Sequence, residues 1–201
     1  MPRTGMLACL GARRRVRSWF SPGMVALVLT SLAGAAGAEG VEAQVAMGPS
    51  VQASTWRGDR SLSASLKLGL RIRKILALDA LTRLGYGQVD DRMLTYLSLG
   101  GTLYGKIGRA QPWIRAALVH QHEESRAAIA EQPVGAIFGV GDGIRHRGGG
   151  SLAIGLDLPF ARVGRTEWVL GADVQGIWFP DPRGPQLYAG GGGWLGANFD
   201  L

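Results

Sequence analysis

The residues best suited to chemistry lie in one stretch of the chain, between positions 120 and 147. The histidines and carboxylates of this stretch are His120, His122, Glu123, Glu124, Asp142 and His146. Imidazole nitrogens and carboxylate oxygens are common metal ligands, and the same groups can supply a general base and its orienting partner to a serine such as Ser125. The stretch therefore raises two hypotheses, a metal site and a serine-dependent enzyme.

The spacing of these residues favours neither hypothesis. We interpret His120-Gln121-His122 as placing the two rings on opposite faces of a strand, so that they would share an ion only where the strand has ended. Short combinations of such residues also arise often by chance. We therefore predict no catalytic residue, no metal site and no cofactor, and we interpret the stretch as a solvated polar loop.

The elements that position this stretch are predicted to be strands, because apolar and polar residues alternate along most of the chain. The clearest example is Ser61 to Arg71, where one face carries Leu62, Ala64, Leu66, Leu68 and Leu70. The alternation recurs in Val41 to Ala53, Leu76 to Tyr86, Met93 to Leu103, Trp113 to His120, Ser151 to Leu158, Trp168 to Trp178 and Leu187 to Leu201. Most of these eight strands are near the 9–11 residues, roughly, that cross a membrane at a tilt.

The connections between the predicted strands alternate in length. Those after the second, fourth and sixth strands are short, whereas the connection after the fifth strand runs from Gln121 to Arg147. This asymmetry is expected of a transmembrane barrel with short turns on one side and longer loops on the other. Long loops are often functional, so we expect this one to carry any external interaction, with these candidate residues: His122, Glu124, Phe138, Asp142 and His146.

Charged residues in the middle of the predicted strands indicate which face of each strand points into the barrel. They are Lys67, Asp79, Arg83, Arg115, Asp157 and Asp173. An eight-stranded barrel has an interior only just wide enough for side chains, so the many leucines fit better outside, in lipid. We therefore predict an all-β, closed, antiparallel up-and-down transmembrane barrel whose lumen is plugged by pairing of these charges, since an unpaired buried charge is unfavourable by several kcal/mol.

Aromatic side chains near strand ends are consistent with this orientation. Trp168, Trp178, Tyr86 and Tyr104 occupy such positions. Aromatic rings concentrate where a membrane meets water, so we expect these four to lie at the membrane surfaces.

Residues 1–38 are predicted to be a secretory signal peptide. A basic region, Arg13 to Arg17, precedes an apolar run, Met24 to Leu32, and Ala36-Gly37-Ala38 fits the cleavage pattern. The apolar run is shorter than the about 20 residues of a membrane-spanning helix. The mature domain is therefore expected to be 39–201.

The charge of the chain argues against nucleic-acid binding. The formal net charge is +7, but five arginines lie in residues 1–38, and the remainder has 17 basic and 15 acidic residues. A nucleic-acid-binding domain needs a basic face on its folded part. The single cysteine, Cys9, also lies in the predicted signal peptide, so the mature domain has no disulfide.

The tripeptide Arg57-Gly58-Asp59 has the spelling of a cell-adhesion motif. It lies in a predicted connection, where glycine and aspartate are expected for conformational reasons. We therefore interpret it as a turn.

The last strand ends Trp194-Leu195-Gly196-Ala197-Asn198-Phe199-Asp200-Leu201. This resembles the C-terminal assembly signal of bacterial outer-membrane proteins, with Gly196, Phe199 and Leu201 at the glycine and hydrophobic positions. Trp194 departs from the usual polar residue, and Leu201 replaces the commoner phenylalanine. Together with the strand pattern, the chain resembles the small eight-stranded outer-membrane barrels, namely the OmpA membrane domain and the OmpX type.

This resemblance implies a monomer in the outer membrane of a Gram-negative bacterium. The implied partners are membrane lipid and lipopolysaccharide, periplasmic chaperones and the outer-membrane assembly machinery. The implied role is structural or surface interaction. Two alternatives are a lipid A-modifying enzyme, since a few such barrels are lipid A hydrolases or acyltransferases, and a narrow channel.

Overall fold

The computed structural model describes residues 40–131, 135 and 143–201. The predicted signal peptide and the loop candidates Phe138 and Asp142 lie outside the described residues. The strands are β1 Val41–Ser54, β2 Arg60–Ile72, β3 Leu76–Gly87, β4 Arg92–Tyr104, β5 Gln111–Ser125, β6 Ile144–Val163, β7 Thr166–Trp178 and β8 Leu187–Asp200. A 3₁₀ turn, Val89–Asp91, precedes β4, and a six-residue helix, α1 Arg126–Glu131, follows β5.

The eight strands form one closed barrel in sequence order. Each strand pairs with its neighbours in antiparallel register, and β8 closes on β1 with Phe199 opposite Ala43. Closure leaves no sheet edge, which satisfies the backbone groups of every strand and suits a lipid surrounding. The predicted all-β, closed, antiparallel up-and-down transmembrane barrel is confirmed.

The two ends of the barrel differ in their connections. Tight turns join β2 to β3, β4 to β5 and β6 to β7, at the end we call the turn end; the opposite end is the loop end. The β2–β3 turn uses Arg73 and Lys74 at φ 50° and 60°, whereas Gly108 and Gly164 supply the left-handed positions of the other two turns. Glycine adopts this conformation without steric penalty, so the turn at Arg73 and Lys74 is the least expected from sequence.

The outer wall is apolar. Leu62, Leu78 and Leu118 are 63%, 62% and 79% exposed, and outward leucines, isoleucines and valines surround the barrel. Such a continuous exposed apolar belt is stable in lipid rather than in water. Among the described residues, no helix is long and apolar enough to span a membrane.

Aromatic residues divide between the wall and the lumen. Trp168, Trp178 and Tyr86 lie exposed on the outer wall near strand ends. The expectation for Tyr104 was wrong, because its ring is buried in the lumen, where its hydroxyl accepts a hydrogen bond from Lys67 Nζ at 3.3 Å.

The boundaries predicted for the long loop were also wrong. β5 continues to Ser125 and β6 begins at Ile144, so most of the residues assigned to the loop ends are paired strand residues, with Gln121 opposite Arg147 and Glu123 opposite Arg145. Beyond the apolar belt the outer face has no reason to be apolar. The alternation of apolar and polar residues therefore ends before the strands do, and the hydrogen-bonded pairing of β5 with β6 continues to Glu124 and Ile144.

Candidate functional site

The middle of the lumen holds the charged residues that were singled out from the sequence. Arg115 Nε lies 2.6 Å from Asp79 Oδ1, and Lys67 Nζ lies 3.9 Å from Asp79 Oδ2. Thr102 Oγ1 donates a hydrogen bond to Asp79 Oδ2 at 2.6 Å. Because Asp79 is buried, this set of partners offsets the loss of its hydration.

The pairing around the other two aspartates is not one cation to one anion. Arg83 Nη2 lies 3.8 Å from Asp173 Oδ2, and the backbone N–H of Gly192 donates to Asp173 Oδ1 at 2.8 Å. Asp157 accepts a hydrogen bond from Trp113 Nε1 at 3.0 Å. The six charges therefore belong to a wider network that also includes hydroxyl, indole and backbone groups.

Two tryptophans fill much of the remaining space at this level. The rings of Trp113 and Trp194 are 5.6 Å apart between centroids. A Cβ added at Gly155 would lie 2.2 Å from the Trp113 ring, and one added at Gly171 would lie 2.0 Å from Trp194 Nε1. These glycines thus make room for the indoles against the barrel wall.

A cavity of about 30 Å³ remains between Lys67, Arg83, Arg115 and Asp173. This volume suffices for a water molecule and not for a solute, since one water needs roughly 10–15 Å³ of such space. At mid-height the lumen is therefore filled by side chains.

At the turn end, Glu42 holds two cations. Lys74 Nζ lies 3.1 Å from its Oε1, and Arg71 Nη1 lies 3.8 Å from its Oε2. The Arg71 guanidinium also stacks 4.1 Å from the centroid of the Tyr104 ring and donates to Lys74 O at 2.8 Å. This second ionic layer occupies the lumen below the central network.

At the loop end, a third ionic layer is centred on Glu123, and we call it the Glu123 cluster. Arg147 Nη1 and Arg145 Nη1 lie 2.8 and 3.2 Å from the two carboxylate oxygens, and Arg92 Nε lies 4.0 Å away. Gln121 Nε2 and the Tyr188 hydroxyl donate to Oε1 at 3.0 and 3.3 Å.

The Glu123 cluster is tied to the loops above it. Arg147 Nη2 donates to Pro185 O at 2.7 Å and to Asp181 O at 3.1 Å, and its guanidinium lies 4.4 Å from the Phe179 ring centroid. All three groups, Pro185 O, Asp181 O and the Phe179 ring, belong to the β7–β8 connection. The Glu123 cluster therefore closes the lumen and anchors the loop that covers it.

The tripeptide Arg57-Gly58-Asp59 joins the same layer. Asp59 is only 3% exposed, and its Oδ2 accepts from Arg92 Nη2 at 2.6 Å and from Ser54 Oγ at 2.5 Å. Gly58 provides the positive φ of 77° that the turn needs. Because the carboxylate is engaged inside the barrel, the tripeptide is a turn that contributes to the lumen network.

A separate polar cluster lies on the outer face of the loop end. The rings of His120, His122 and His146 have centroids 4.6–5.6 Å apart, and His120 Nε2 lies 3.4 Å from His146 Nδ1. The interpretation that His120 and His122 occupy opposite faces was wrong. Residues two apart in a strand share a face, and the cross-strand partner of His122 is His146.

Glu124 lies on the same face of β5 as His122 and is two residues closer to the end of that strand. It is fully buried, and among the described residues neither carboxylate oxygen has a hydrogen-bond partner. Ser125 has the opposite parity and is paired with Arg92, whose side chain points into the lumen. The strand geometry thus separates Ser125 from the histidines that would have to activate it.

The β7–β8 loop carries one exposed ion pair. Arg183 Nη2 lies 2.8 Å from Asp181 Oδ2, and Arg183 N donates to Asp181 Oδ1 at 3.0 Å. These hydrogen bonds lower the pKa of Asp181 to about 2.

The residues of the predicted assembly signal lie at the closing seam of the barrel. Phe199 and Leu201 are exposed at its outer surface, and Phe199 is opposite Ala43 of β1 and Thr166 of β7. Gly196 is buried, and a Cβ there would approach Ala46 Cβ at 3.0 Å. The close contact explains why a small residue stands at position 196.

Sequence reasoning missed the centre of the loop-end layer. Glu123 was assigned to a solvated loop, and neither Arg92 nor Tyr188 was singled out. The available signal was alternation: Gln121 and Glu123 continue the inward parity of Arg115, as Arg145 and Arg147 continue that of Asp157. Extending the period through polar residues would have found them.

Among the comparisons with known proteins, only the search of solved structures found similar proteins. No protein-family model and no curated protein sequence matches it. Neisserial surface protein A, NspA, matches at a TM-score of 0.55 with 13% identity, covering 82% of this chain and 99% of NspA. Ail of Yersinia pestis, in complex with the heparin analogue sucrose octasulfate, matches at 0.48 with 14% identity, covering 80% and 98%.

The N-terminal β-barrel domain of Pseudomonas aeruginosa OprF matches at a TM-score of 0.43 with 16% identity, covering 79% of this chain and 96% of that domain. At such identities a match establishes the fold alone. The likeness to NspA confirms the resemblance drawn from the sequence: the chain has the fold of the small eight-stranded outer-membrane barrels.

Proposed function

We propose that the protein is a non-conducting barrel of the outer membrane of a Gram-negative bacterium, with a structural or surface-interaction role exercised at its loop end. The observation that carries the proposal is the Glu123 cluster, which fills the lumen beneath the loops. A barrel filled in this way offers partners its rim and its lipid-facing wall rather than a pore.

The route to that membrane is part of the same proposal. A signal peptide at 1–38 is removed, periplasmic chaperones carry 39–201, and the assembly machinery reads Gly196, Phe199 and Leu201 on β8. We infer that the barrel then stands as a monomer; its closure leaves no strand edge through which a second copy could extend the sheet. The alternatives of a lipid A-modifying enzyme and a narrow channel gain no specific support within the described residues.

Lipopolysaccharide is the partner best matched to the rim. Arg60, the first residue of β2, is exposed on the outer face one step above Leu62 of the apolar belt. Arg57 is exposed in the adjacent turn. Phosphate groups lie just above the apolar layer of a lipid, and guanidinium groups bind phosphate in bidentate fashion.

The test uses the folded barrel in phosphatidylcholine vesicles with and without lipopolysaccharide. We expect lipopolysaccharide to raise the unfolding midpoint of the wild type, and we expect Arg57→Gln/Arg60→Gln to lose most of that rise. The matched control is Lys106→Gln/Arg109→Gln, which removes two exposed cations from the turn end. An absent rise, or an equal loss in the control, contradicts the proposed surface role.

Cell fractionation tests the proposed location in the outer membrane. The wild type should be found in the outer-membrane fraction and should shift on gels when heated, as folded barrels do. Phe199→Asp should reduce that fraction if β8 is read during assembly. Unchanged insertion of Phe199→Asp would contradict the assigned signal.

A further inference from the structure

We propose that His120, His122 and His146 form a binding site for a divalent first-row transition-metal ion, with Zn²⁺ as its natural probe. The site lies on the outer face at the loop end, apart from the lumen network. It rests on geometry that is independent of the surface role proposed above.

The three residues are the only histidines of the chain. They come from two neighbouring strands, β5 and β6, and their ligand nitrogens all lie within 4.8 Å of one another. The separation of 3.4 Å between His120 Nε2 and His146 Nδ1 matches the distance of about 3.4 Å between two ligands of a tetrahedral zinc with Zn–N bonds of roughly 2.05 Å. The ladder therefore places one pair of ring nitrogens at metal-binding separation and brings the third imidazole close to that pair.

One nitrogen of the cluster is buried without a hydrogen-bond partner among the described residues. His122 is 6% exposed, and its Nδ1 has no hydrogen-bond partner among the described residues. A buried polar nitrogen without a partner is unfavourable, whereas the same lone pair bound to a cation is not.

The donor set selects the class of ion. Three imidazoles without a thiolate suit Zn²⁺, Cu²⁺ or Ni²⁺ rather than Mg²⁺ or Ca²⁺, which prefer oxygen. Because His146 is exposed, the side of the cluster that faces away from the barrel stays accessible. Three protein ligands with one accessible position is the arrangement of an open zinc site.

Glu124 supplies a second, independent observation. Its buried carboxylate has no hydrogen-bond partner among the described residues and stands next along the same face of β5 from His122. Its negative charge favours a cation nearby, as carboxylates beside metal-bound histidines do. We assign it a positioning role rather than that of a ligand.

The experiment measures Zn²⁺ binding to the folded full-length barrel in detergent by calorimetry. The protein is prepared without a polyhistidine tag, because such a tag would itself bind Zn²⁺. We expect one Zn²⁺ per barrel, removable by EDTA, and zinc-edge X-ray absorption showing nitrogen neighbours at about 2.0–2.1 Å. Mg²⁺ should not compete.

His146→Gln is the main variant because its side chain is exposed and its loss should not disturb folding. Removal of a direct ligand should weaken Zn²⁺ binding by more than the about 100-fold that marks the upper range for outer-shell partners. His120→Gln provides a second ligand variant. The matched control is Thr95→Val, since Thr95 is paired with His122 on β4 and offers no nitrogen.

The outcomes separate cleanly. Tight 1:1 binding that is lost in both histidine variants and kept in Thr95→Val supports the site. Absence of Zn²⁺ binding by the wild-type barrel overturns it. Zn²⁺ binding that persists in His146→Gln and His120→Gln also overturns it, because the ion would then lie elsewhere.

Discussion

Glu123 and Glu124 are adjacent residues of one strand, both buried, at 4% and 0% exposure, yet their surroundings differ completely. Glu123 points into the lumen and contacts Arg92, Arg145 and Arg147. Glu124 points outward and has no hydrogen-bond partner among the described residues. The comparison teaches that neighbouring cations and donors satisfy the Glu123 carboxylate inside the lumen, whereas the Glu124 carboxylate on the outer face lacks such partners among the described residues.

The largest expected difference in stability is between variants that remove Glu123 and variants that remove Glu124. Glu123→Ala should lower the free energy of unfolding by about 3–5 kcal/mol, because it leaves the buried Arg147 without its anion. Glu124→Ala, measured without metal, should be neutral or stabilising, since it removes a buried carboxylate. Urea unfolding in lipid vesicles measures both, and equal losses would show that the two environments do not differ as described.

The lipid-facing wall gives the next largest effect. Ile154 lies between Ile114 and Val174 on the neighbouring strands, and all three point outward. Ile154→Arg should therefore reduce stability by about 2–4 kcal/mol, as a cation near the middle of the membrane does. Ile154→Val is the control. If Ile154→Arg were as stable as that control, this wall would face water.

A smaller effect is expected where glycine makes room for an indole. Gly155→Ala should cost about 1–3 kcal/mol because the new methyl group meets the Trp113 ring. Gly148→Ala in the same strand meets no atom within 4 Å and serves as the control. Similar unfolding midpoints for the two variants would contradict the packing of Trp113 against the wall.

The smallest effect is expected for the exposed pair Asp181 and Arg183. The pKa of Asp181 is lowered to about 2, so its contribution to stability is present above the ordinary aspartate pKa of about 3.9 and is lost as the pH falls toward 2. Solvent screening keeps that contribution small. Asp181→Asn should leave the urea midpoint at pH 7 unchanged, and a clear decrease would give this loop pair a larger role.

The strands were predictable because lipid outside and charge inside impose a strict alternation. Segments such as Leu76 to Tyr86 therefore differ from the observed Leu76–Gly87 by a single residue. Alternation also predicts which face Asp79 and Arg115 occupy. It cannot choose their partners, because distances between side chains depend on cross-strand register and on the size of neighbours such as Trp113.

The loop end was harder to predict for a physical reason. Above the apolar belt, polar residues stand on both faces of β5 and β6, so the end of the alternation was mistaken for the end of the strands. The shared face of His120 and His122 followed from the period of a strand and was missed. That His146 joins them follows only from the β5–β6 register.

The claim that three ionic layers fill the lumen is tested most directly by single-channel recording in planar bilayers. The wild-type barrel, inserted alone at high salt, should give no stable conductance steps, while a large porin recorded in the same way gives clear ones. Stable, reproducible conductance steps from the wild type would contradict the account. They would show that ions pass the layers centred on Glu42, Asp79 and Glu123.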